Sequence, residues 1–204
     1  METARQKLNE YIKSQLTDHR VEIAIEKVDR KEFIPSDQKD YAYMDVPLPI
    51  GCSQTISQPS LVAWMTEQLE LKENDTILEV GTGSGYQAAL LAELAKEVVT
   101  IERIPELSQR AERILTKLGY TNVTAMTGDG SKGYPAKAPY DAVIVTAAGQ
   151  NIPQLLIDQL AEGGRLIIPI GGPIAQEIIK GIKREGKLTT QRLLPVRFVP
   201  LIEE

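Results

Sequence analysis

Apolar positions follow three different rhythms along the chain. Up to residue 30 they recur at helical spacing, first at Leu8, Ile12 and Leu16 and then at Val21, Ala24, Ile25 and Val28, which predicts two short helices that cover something else. From Phe33 to Pro59 the periodicity lapses. Pro35, Pro47, Pro49 and Gly51 predict an irregular segment, while Tyr41, Tyr43 and Leu48-Pro49-Ile50 make it too apolar for a disordered linker. Pro59 opens a predicted helix with Leu61, Val62, Met65 and Leu69 on one face, ending before Lys72-Glu73-Asn74-Asp75. Strand-like runs then appear at Thr76 to Val80, Val98 to Ile101, Val123 to Met126, Tyr140 to Val145 and Leu166 to Ile170. Helical patterns near 86–96, 106–118 and 153–161 separate them. Strand and helix in alternation predict a parallel sheet covered on both faces. After Gly171-Gly172, the runs Ala175 to Ile182 and Leu188 to Val199, joined by Lys183 to Lys187, predict an antiparallel hairpin closing one edge. The expectation is an α/β, Rossmann-like, seven-stranded fold with an N-terminal helical cover. It forms one domain over 1–204, with helices and a loop over 1–60, the α/β core over 61–170 and the hairpin over 171–204.

A chain of 204 residues with 42% apolar content buries enough core to need neither disulfides nor metal. The single cysteine, Cys52, has no internal partner, which predicts a reducing, cytoplasmic setting. No run approaches the ~20 consecutive apolar residues of a membrane span, and the N-terminus lacks the apolar stretch of a signal peptide, so no membrane is expected. A net charge of −5 disfavours nucleic acid as a partner. His19 has no second His or Cys near it, so a surface position is expected and no metal site. A monomer is expected.

Candidate chemistry begins where the first strand of the sheet ends, in Leu78-Glu79-Val80-Gly81-Thr82-Gly83-Ser84-Gly85-Tyr86. A dinucleotide loop favours G-x-G-x-x-G. Here the spacing is E-x-G-x-G-x-G, and an acid at Glu79 suits a cationic ligand such as the amino end of S-adenosylmethionine. A glycine turn without ligand remains the alternative. Glu102 ends the second strand, 21 positions after Gly81, where a carboxylate can accept from both ribose hydroxyls; a surface acid at a strand end is the other reading. Gly128-Asp129-Gly130 follows the third strand, either contacting adenine through Asp129 and Gly130 or forming a β-turn. All three fall at carboxyl ends of consecutive strands, where open α/β sheets bind ligands. The cofactor candidates from this reading are Glu79, Gly81, Thr82, Gly83, Gly85, Glu102, Asp129 and Gly130.

Two stretches need another explanation. Pro47-Leu48-Pro49-Ile50-Gly51-Cys52-Ser53-Gln54-Thr55-Ile56-Ser57-Gln58-Pro59 resembles the P-L-P-I-G-x-x-Q-T-I-S-Q-P signature of the protein-L-isoaspartate O-methyltransferases, and Arg197-Phe198-Val199-Pro200-Leu201 resembles their terminal R-F-V-P-L. With E-V-G-T-G-S-G-Y-Q, N-V-x-x-x-x-G-D-G and Y-D-A-V-I-V-T-A-A between them, the likeness runs from about Tyr41 to Leu201. The resemblance implies a class I S-adenosylmethionine-dependent methyltransferase that esterifies the α-carboxylate of L-isoaspartyl residues in damaged proteins and peptides. S-adenosylhomocysteine is the product, no metal is involved, and repair proceeds through a succinimide. It implies Ser57 as the active-site residue and Thr55 as a further cofactor contact. Ile56 and Val199 are expected beside the acceptor, and Ala147 and Ala148, small residues after the fourth strand, either leave room there for a peptide backbone or simply pack. Cys52-Ser53 departs from a second glycine found in many bacterial members, and Val62 from a histidine in the mammalian form. On its own residues, Ser57 also fits a helix N-cap before Pro59, and Arg197-Phe198-Val199 a strand that holds a peptide by main-chain bonds.

The chemistry is consistent with a single His. A carboxyl of pKa about 3.3 to 3.9 is already ionised near neutral pH, so the nucleophile needs no general base. Other readings are a methyltransferase acting on a small carboxylic acid or other acceptor, a nucleic-acid methyltransferase, and a non-catalytic binder of NAD or a regulatory ligand. The chain lacks both the Asn/Asp-Pro-Pro-aromatic run and the Pro-Cys nucleophile of the nucleic-acid enzymes.

Overall fold

The computed structural model describes residues 2–203; Met1 and Glu204, the ends of the expected domain, lie outside them. Its centre is a seven-stranded sheet built from β3 (Thr76–Val80), β4 (Glu97–Glu102), β5 (Val123–Thr127), β6 (Tyr140–Val145), β7 (Leu160–Gly171), β8 (Gln176–Arg184) and β9 (Lys187–Val196). The spatial order is β5-β4-β3-β6-β7-β8-β9. Pairings from β5 through to β7 are parallel, while β8 runs antiparallel to both β7 and β9. The expected hairpin at one edge is therefore present.

Strands β3, β4 and β6 are buried at nearly every position, as parallel strands covered on both faces must be. On one face Ile77, Val98, Ala142 and Ile144 meet residues of α1 (Ala4–Lys13), α2 (His19–Lys27), α3 (Pro59–Gln68), α4 (Tyr86–Leu94) and α5 (Pro105–Lys117). On the other, Leu78, Val80, Val99 and Val143 meet Leu156 of α6 (Gln154–Asp158). The chain leaves β3 toward β4 and β5, then returns to the opposite side of β3 as β6. This reversal opens a crevice at the carboxyl ends of β3 and β6.

Three sequence expectations change in detail. The segment from Phe33 to Pro59 is not irregular throughout. It contains short 3-10 turns at Arg30–Phe33 and Ser36–Tyr41 and an antiparallel pair, β1 (Leu48–Gly51) and β2 (Gln54–Ile56). Cys52 and Ser53 form the connection with φ of 51° and 57°. A tight hairpin needs positive φ at both central residues, usually supplied by Asn and Gly, so a Cys-Ser pair hid the turn. The helix expected near 153–161 is only five residues long, because Leu160 already pairs with Tyr140 as the start of a twelve-residue β7. The run Leu188 to Val199 leaves the sheet after Val196. The Gln176 side chain takes over the Phe198 backbone there, accepting from its N–H at 2.6 Å and donating to its carbonyl at 3.1 Å.

Candidate active site

A cavity of about 290 Å³ opens where the sheet reverses. Gly81, Gly83, Glu102, Gly130 and Ala147 supply its sheet side, and Thr55 and Val199 its outer walls. A smaller cavity of about 50 Å³ adjoins it, sharing Thr55, Gly81, Gly83 and Thr146 and adding Ile56, Ser57, Val62, Thr82 and Gln87. Thus the glycine loop and the β1–β2 hairpin, far apart in sequence, form facing walls of one crevice.

The loop after β3 is fitted to its neighbours by absence of side chain. Gly81 has φ of 97°, and a Cβ there would lie 2.4 Å from Thr146 Oγ1, which donates to the Gly81 carbonyl at 2.6 Å. Any larger residue would push the loop off the end of β6. Glu102 is 6% exposed, and its carboxylate accepts from the Gly83 N–H at 2.9 Å through Oε2 and from the Ile104 N–H at 2.9 Å through Oε1. Each carboxylate oxygen keeps a further lone pair for a ligand.

Glu79 stands elsewhere. It lines neither cavity and is fully buried, its Oε2 accepting from Thr100 Oγ1 at 2.6 Å and its Oε1 lacking a hydrogen-bond partner among the described residues. Thr100 Oγ1 lies 2.6 Å from Thr82 Oγ1, so a chain of three side chains runs from Glu79 up to the glycine loop. Burial pushes the Glu79 carboxyl up to about 8, the Thr100 hydrogen bond opposing and Glu102 adding to the rise. A direct contact between Glu79 and a cationic ligand is thereby corrected to support from below, by a group that is mostly neutral at pH 7.

Ser57 is half-buried at the edge of the smaller cavity. The N-cap reading fails: the cap of α3 is Gln58, and the first-turn donors of that helix go instead to Asp45, whose carboxylate accepts from Ser60 N–H at 2.8 Å and Ser60 Oγ at 2.6 Å. Among the described residues no hydrogen bond engages Ser57 Oγ, while its carbonyl accepts from Arg30 Nη2 at 3.1 Å. The hydroxyl is held in place by its backbone and left open to the crevice.

The family model described as protein-L-isoaspartate(D-aspartate) O-methyltransferase (PCMT) matches residues 3–204. The chain belongs to this family. A protein-L-isoaspartate O-methyltransferase of Methanoculleus marisnigri is 54% identical over 185 residues, which is 91% of this chain and 84% of that one. A solved protein-L-isoaspartate O-methyltransferase superposes with a TM-score of 0.90 at 31% identity, covering 96% of this chain and 65% of its own length. A Plasmodium falciparum chain described as a protein-L-isoaspartate O-methyltransferase, solved in complex with S-adenosyl-L-homocysteine, has a TM-score of 0.88 at 27% identity over 100% of both chains.

Within this family member the remaining candidates divide. Gly130 lines the large cavity and is packed so closely that a Cβ would lie 2.4 Å from Val80 Cγ1. Asp129 does not line it. Its Oδ1 accepts from Ser131 N–H at 2.9 Å and Ser131 Oγ at 2.6 Å, capping a 3-10 turn over Gly130–Lys132, and Lys132 Nζ lies 3.4 Å from Oδ2. The turn reading of Gly-Asp-Gly is therefore real, whatever else the carboxylate does. Gly85 serves as the N-cap of α4 with φ of 87° and lines neither cavity. Ala147 lines the large cavity, but Ala148 acts through its backbone: its N–H donates to the Val199 carbonyl and its carbonyl accepts from the Leu201 N–H, both at 2.8 Å. That pairing and the Gln176 clasp engage both backbone groups of Phe198 and the carbonyl of Val199.

Sequence reasoning missed Arg30, Asp45 and Thr100, which reach the site through backbone carbonyls, a helix end and a buried hydroxyl. None stands in a motif that marks it. Arg110 of α5 was also missed; its Nη2 donates to the Ile50 carbonyl at 2.5 Å and so ties the hairpin to the helix that follows Glu102. Among the described residues no group of His, Cys, Asp and Glu is placed to hold a metal, and no helix is long and apolar enough to cross a membrane.

Proposed function

We propose that the chain transfers a methyl group to the α-carboxylate of L-isoaspartyl residues in proteins and peptides, the step that starts their repair, and that it does so with the crevice between the glycine loop and the β1–β2 hairpin. The observation that carries this reading is the shared wall of the two cavities, where Thr55, Gly81 and Gly83 border both the larger space and the smaller one beside Ser57. Two reactants entering from opposite ends would meet at that wall.

The residues fit S-adenosylmethionine in the larger cavity. Gly81, Gly83 and Gly130 admit close approach of a flat or charged ligand, Glu102 offers carboxylate lone pairs to ribose hydroxyls, and Thr55 and Ala147 complete the enclosure, with Thr82 bordering the adjoining smaller cavity. Asp129 can add one acceptor for an exocyclic amine beyond its bonds to Ser131. When bound, this cofactor supplies an electrophilic methyl group on sulfonium.

The chain's own task is placement. An ionised carboxylate needs no base, so no titrating side chain need stand beside it. Ser57 Oγ, free of other partners, donates to one carboxylate oxygen and leaves the other aimed at the methyl, a bond to a charged acceptor worth roughly 1.5 to 3 kcal/mol. Ile56, Val62 and Met65 give the space an apolar lining that excludes water. Holding reactants in line reaches effective concentrations on the order of 10⁵ to 10⁸ M, and this accounts for catalysis without metal or histidine. The reading extends to a cytoplasmic monomer, supported for location by the exposed, unpaired Cys52 thiol, which a reducing compartment preserves; sedimentation and cell fractionation test it. The deciding assay is labelled methyl transfer from S-adenosylmethionine to an isoaspartyl peptide and to its normal Asp twin. Activity on the first alone supports the reading, and activity on neither removes it.

A further inference from the structure

Arg30 is the only buried basic residue among the described residues, 3% exposed at the end of the N-terminal helical cover. Among the described residues no carboxylate forms an ion pair with it. Its guanidinium instead donates to four backbone carbonyls: Nη1 to Ala42 at 2.9 Å and Met44 at 3.1 Å, Nη2 to Val46 at 2.8 Å and Ser57 at 3.1 Å. Nε has no partner. Burial pushes its pKa down to about 10, which leaves it charged at neutral pH, and the nearby Tyr86 and Asp45 oppose the fall. A buried cation is costly to keep, and an aliphatic side chain would fill the volume without that cost. What an aliphatic residue lacks is a planar fork able to hold several oxygens at fixed angles, a geometry that lysine does not offer either.

The four carbonyls are not random. Ser57 directly follows the hairpin that spans Leu48 to Ile56 and Val46 lies two residues before it, and a single nitrogen, Nη2, holds both. Asp45, next to Val46, grips Ser60 just beyond Ser57. The base of the hairpin is thus closed by Arg30, and the segment Ser57 to Ser60 is pinned at both ends.

We propose that Arg30 is a positioning residue for methyl transfer: by clamping the Val46 and Ser57 carbonyls together, it fixes the direction in which the Ser57 hydroxyl faces the acceptor carboxylate. This rests on the role assigned to Ser57 above. Arg30 lines neither cavity, so its effect passes through the Ser57 backbone. The clamp also explains how a residue without a side-chain hydrogen bond of its own can be aimed.

The test compares Arg30→Lys with the parent, and repeats the comparison in a Ser57→Ala background. Misplacement by about 1 Å can cost 10²-fold in rate. Arg30→Lys should lower kcat on an isoaspartyl peptide about tenfold or more, with the S-adenosylhomocysteine Kd within about twofold of the parent. In the Ser57→Ala background the same substitution should cost less than about threefold, because the group it aims is gone. A merely structural arginine would cost the same in both backgrounds, and that result, or unchanged kcat, overturns the inference. If Arg30→Lys fails to fold, Asp45→Asn loosens the same segment from its other end and should show the same non-additivity with Ser57→Ala; additive losses there overturn it equally. A parent chain that transfers no methyl defeats the functional reading and the inference with it, whereas an active parent and an equally active Arg30→Lys defeat the inference alone.

Discussion

The carboxylate of Glu102 accepts the N–H of Gly83 at 2.9 Å, tying the acid that ends β4 to the glycine loop that ends β3. One residue therefore does two things at the larger cavity: it offers lone pairs to a ligand and holds the loop that forms the ligand's floor. Glu102→Ala should weaken S-adenosylhomocysteine binding by about 1 to 3 kcal/mol, the usual range for leaving buried polar groups without their acceptor. Glu102→Gln keeps one acceptor oxygen but sets its NH2 against the Gly83 or the Ile104 N–H, so it should weaken binding as well. Calorimetry measures both, and unchanged affinity in the alanine variant would remove Glu102 from the cofactor site.

Ser57 gives a sharper separation between binding and turnover. Its hydroxyl caps no helix and bonds to no other described residue, so Ser57→Ala should melt within about 2 °C of the parent, the shift expected for well under 1 kcal/mol in a chain of this size. S-adenosylhomocysteine affinity should stay within about twofold. Methyl transfer should fall about tenfold or more, the loss corresponding to one hydrogen bond to a charged group. A fall in Tm with activity intact would return Ser57 to a structural role.

The ligand end of the sheet was legible in the sequence because strand ends and glycines leave local marks. Gly81, Glu102 and Gly130 each follow an apolar run, and all three line the cavity. Ser57 and Thr55 were legible only through a family signature, since the turn at Cys52-Ser53 carries none of the residues that usually announce a hairpin. Glu79 was assigned to the right region with the wrong contact, and the turn that Asp129 caps was one of two alternatives. Their carboxyls bond to Thr100 and Ser131, partners whose proximity depends on strand register and turn geometry that spacing alone does not specify. Arg30 left no trace, because its partners are carbonyls, and every residue has one.

Glu79 makes stability depend on pH. Its carboxyl, with an ordinary value of 4.5, is pushed up to about 8 chiefly by burial. Between those values the folded chain keeps a proton that the unfolded chain releases. The stabilisation is fully present below pH about 4.5 and is lost as pH rises through about 8. Glu79→Gln removes this titration. The Tm of the glutamine variant minus that of the parent should therefore increase steadily between pH 5 and pH 8.5 in thermal melts. A difference that stays constant over the range would mean that Glu79 is ionised throughout in the folded state.

Substrate choice tests the site as a whole, because an isoaspartyl residue and an aspartyl residue carry the same charge and the same atoms. They differ by one methylene moved from side chain to backbone, so attraction to the crevice cannot separate them. Shape must do it. The acceptor carboxylate has to reach the wall shared by the two cavities, near Ser57, while the displaced chain passes the hairpin on one side and the Val199 segment on the other. Ala148 and Gln176 hold that segment rigidly by main-chain and side-chain bonds. It therefore cannot shift to rescue a carboxylate that arrives one methylene out of place, a misplacement of about 1 Å that costs on the order of 10²-fold. Since the walls are mostly small or apolar, neighbouring side chains of the substrate should matter little. Paired peptides of identical sequence should give kcat/KM at least ~10²-fold higher for the isoaspartyl form, and replacing the flanking residues should change that ratio far less than replacing Ser57 does. Equal rates on the two forms would mean that the crevice selects charge rather than geometry, and the acceptor assignment would fall while methyl transfer itself stood.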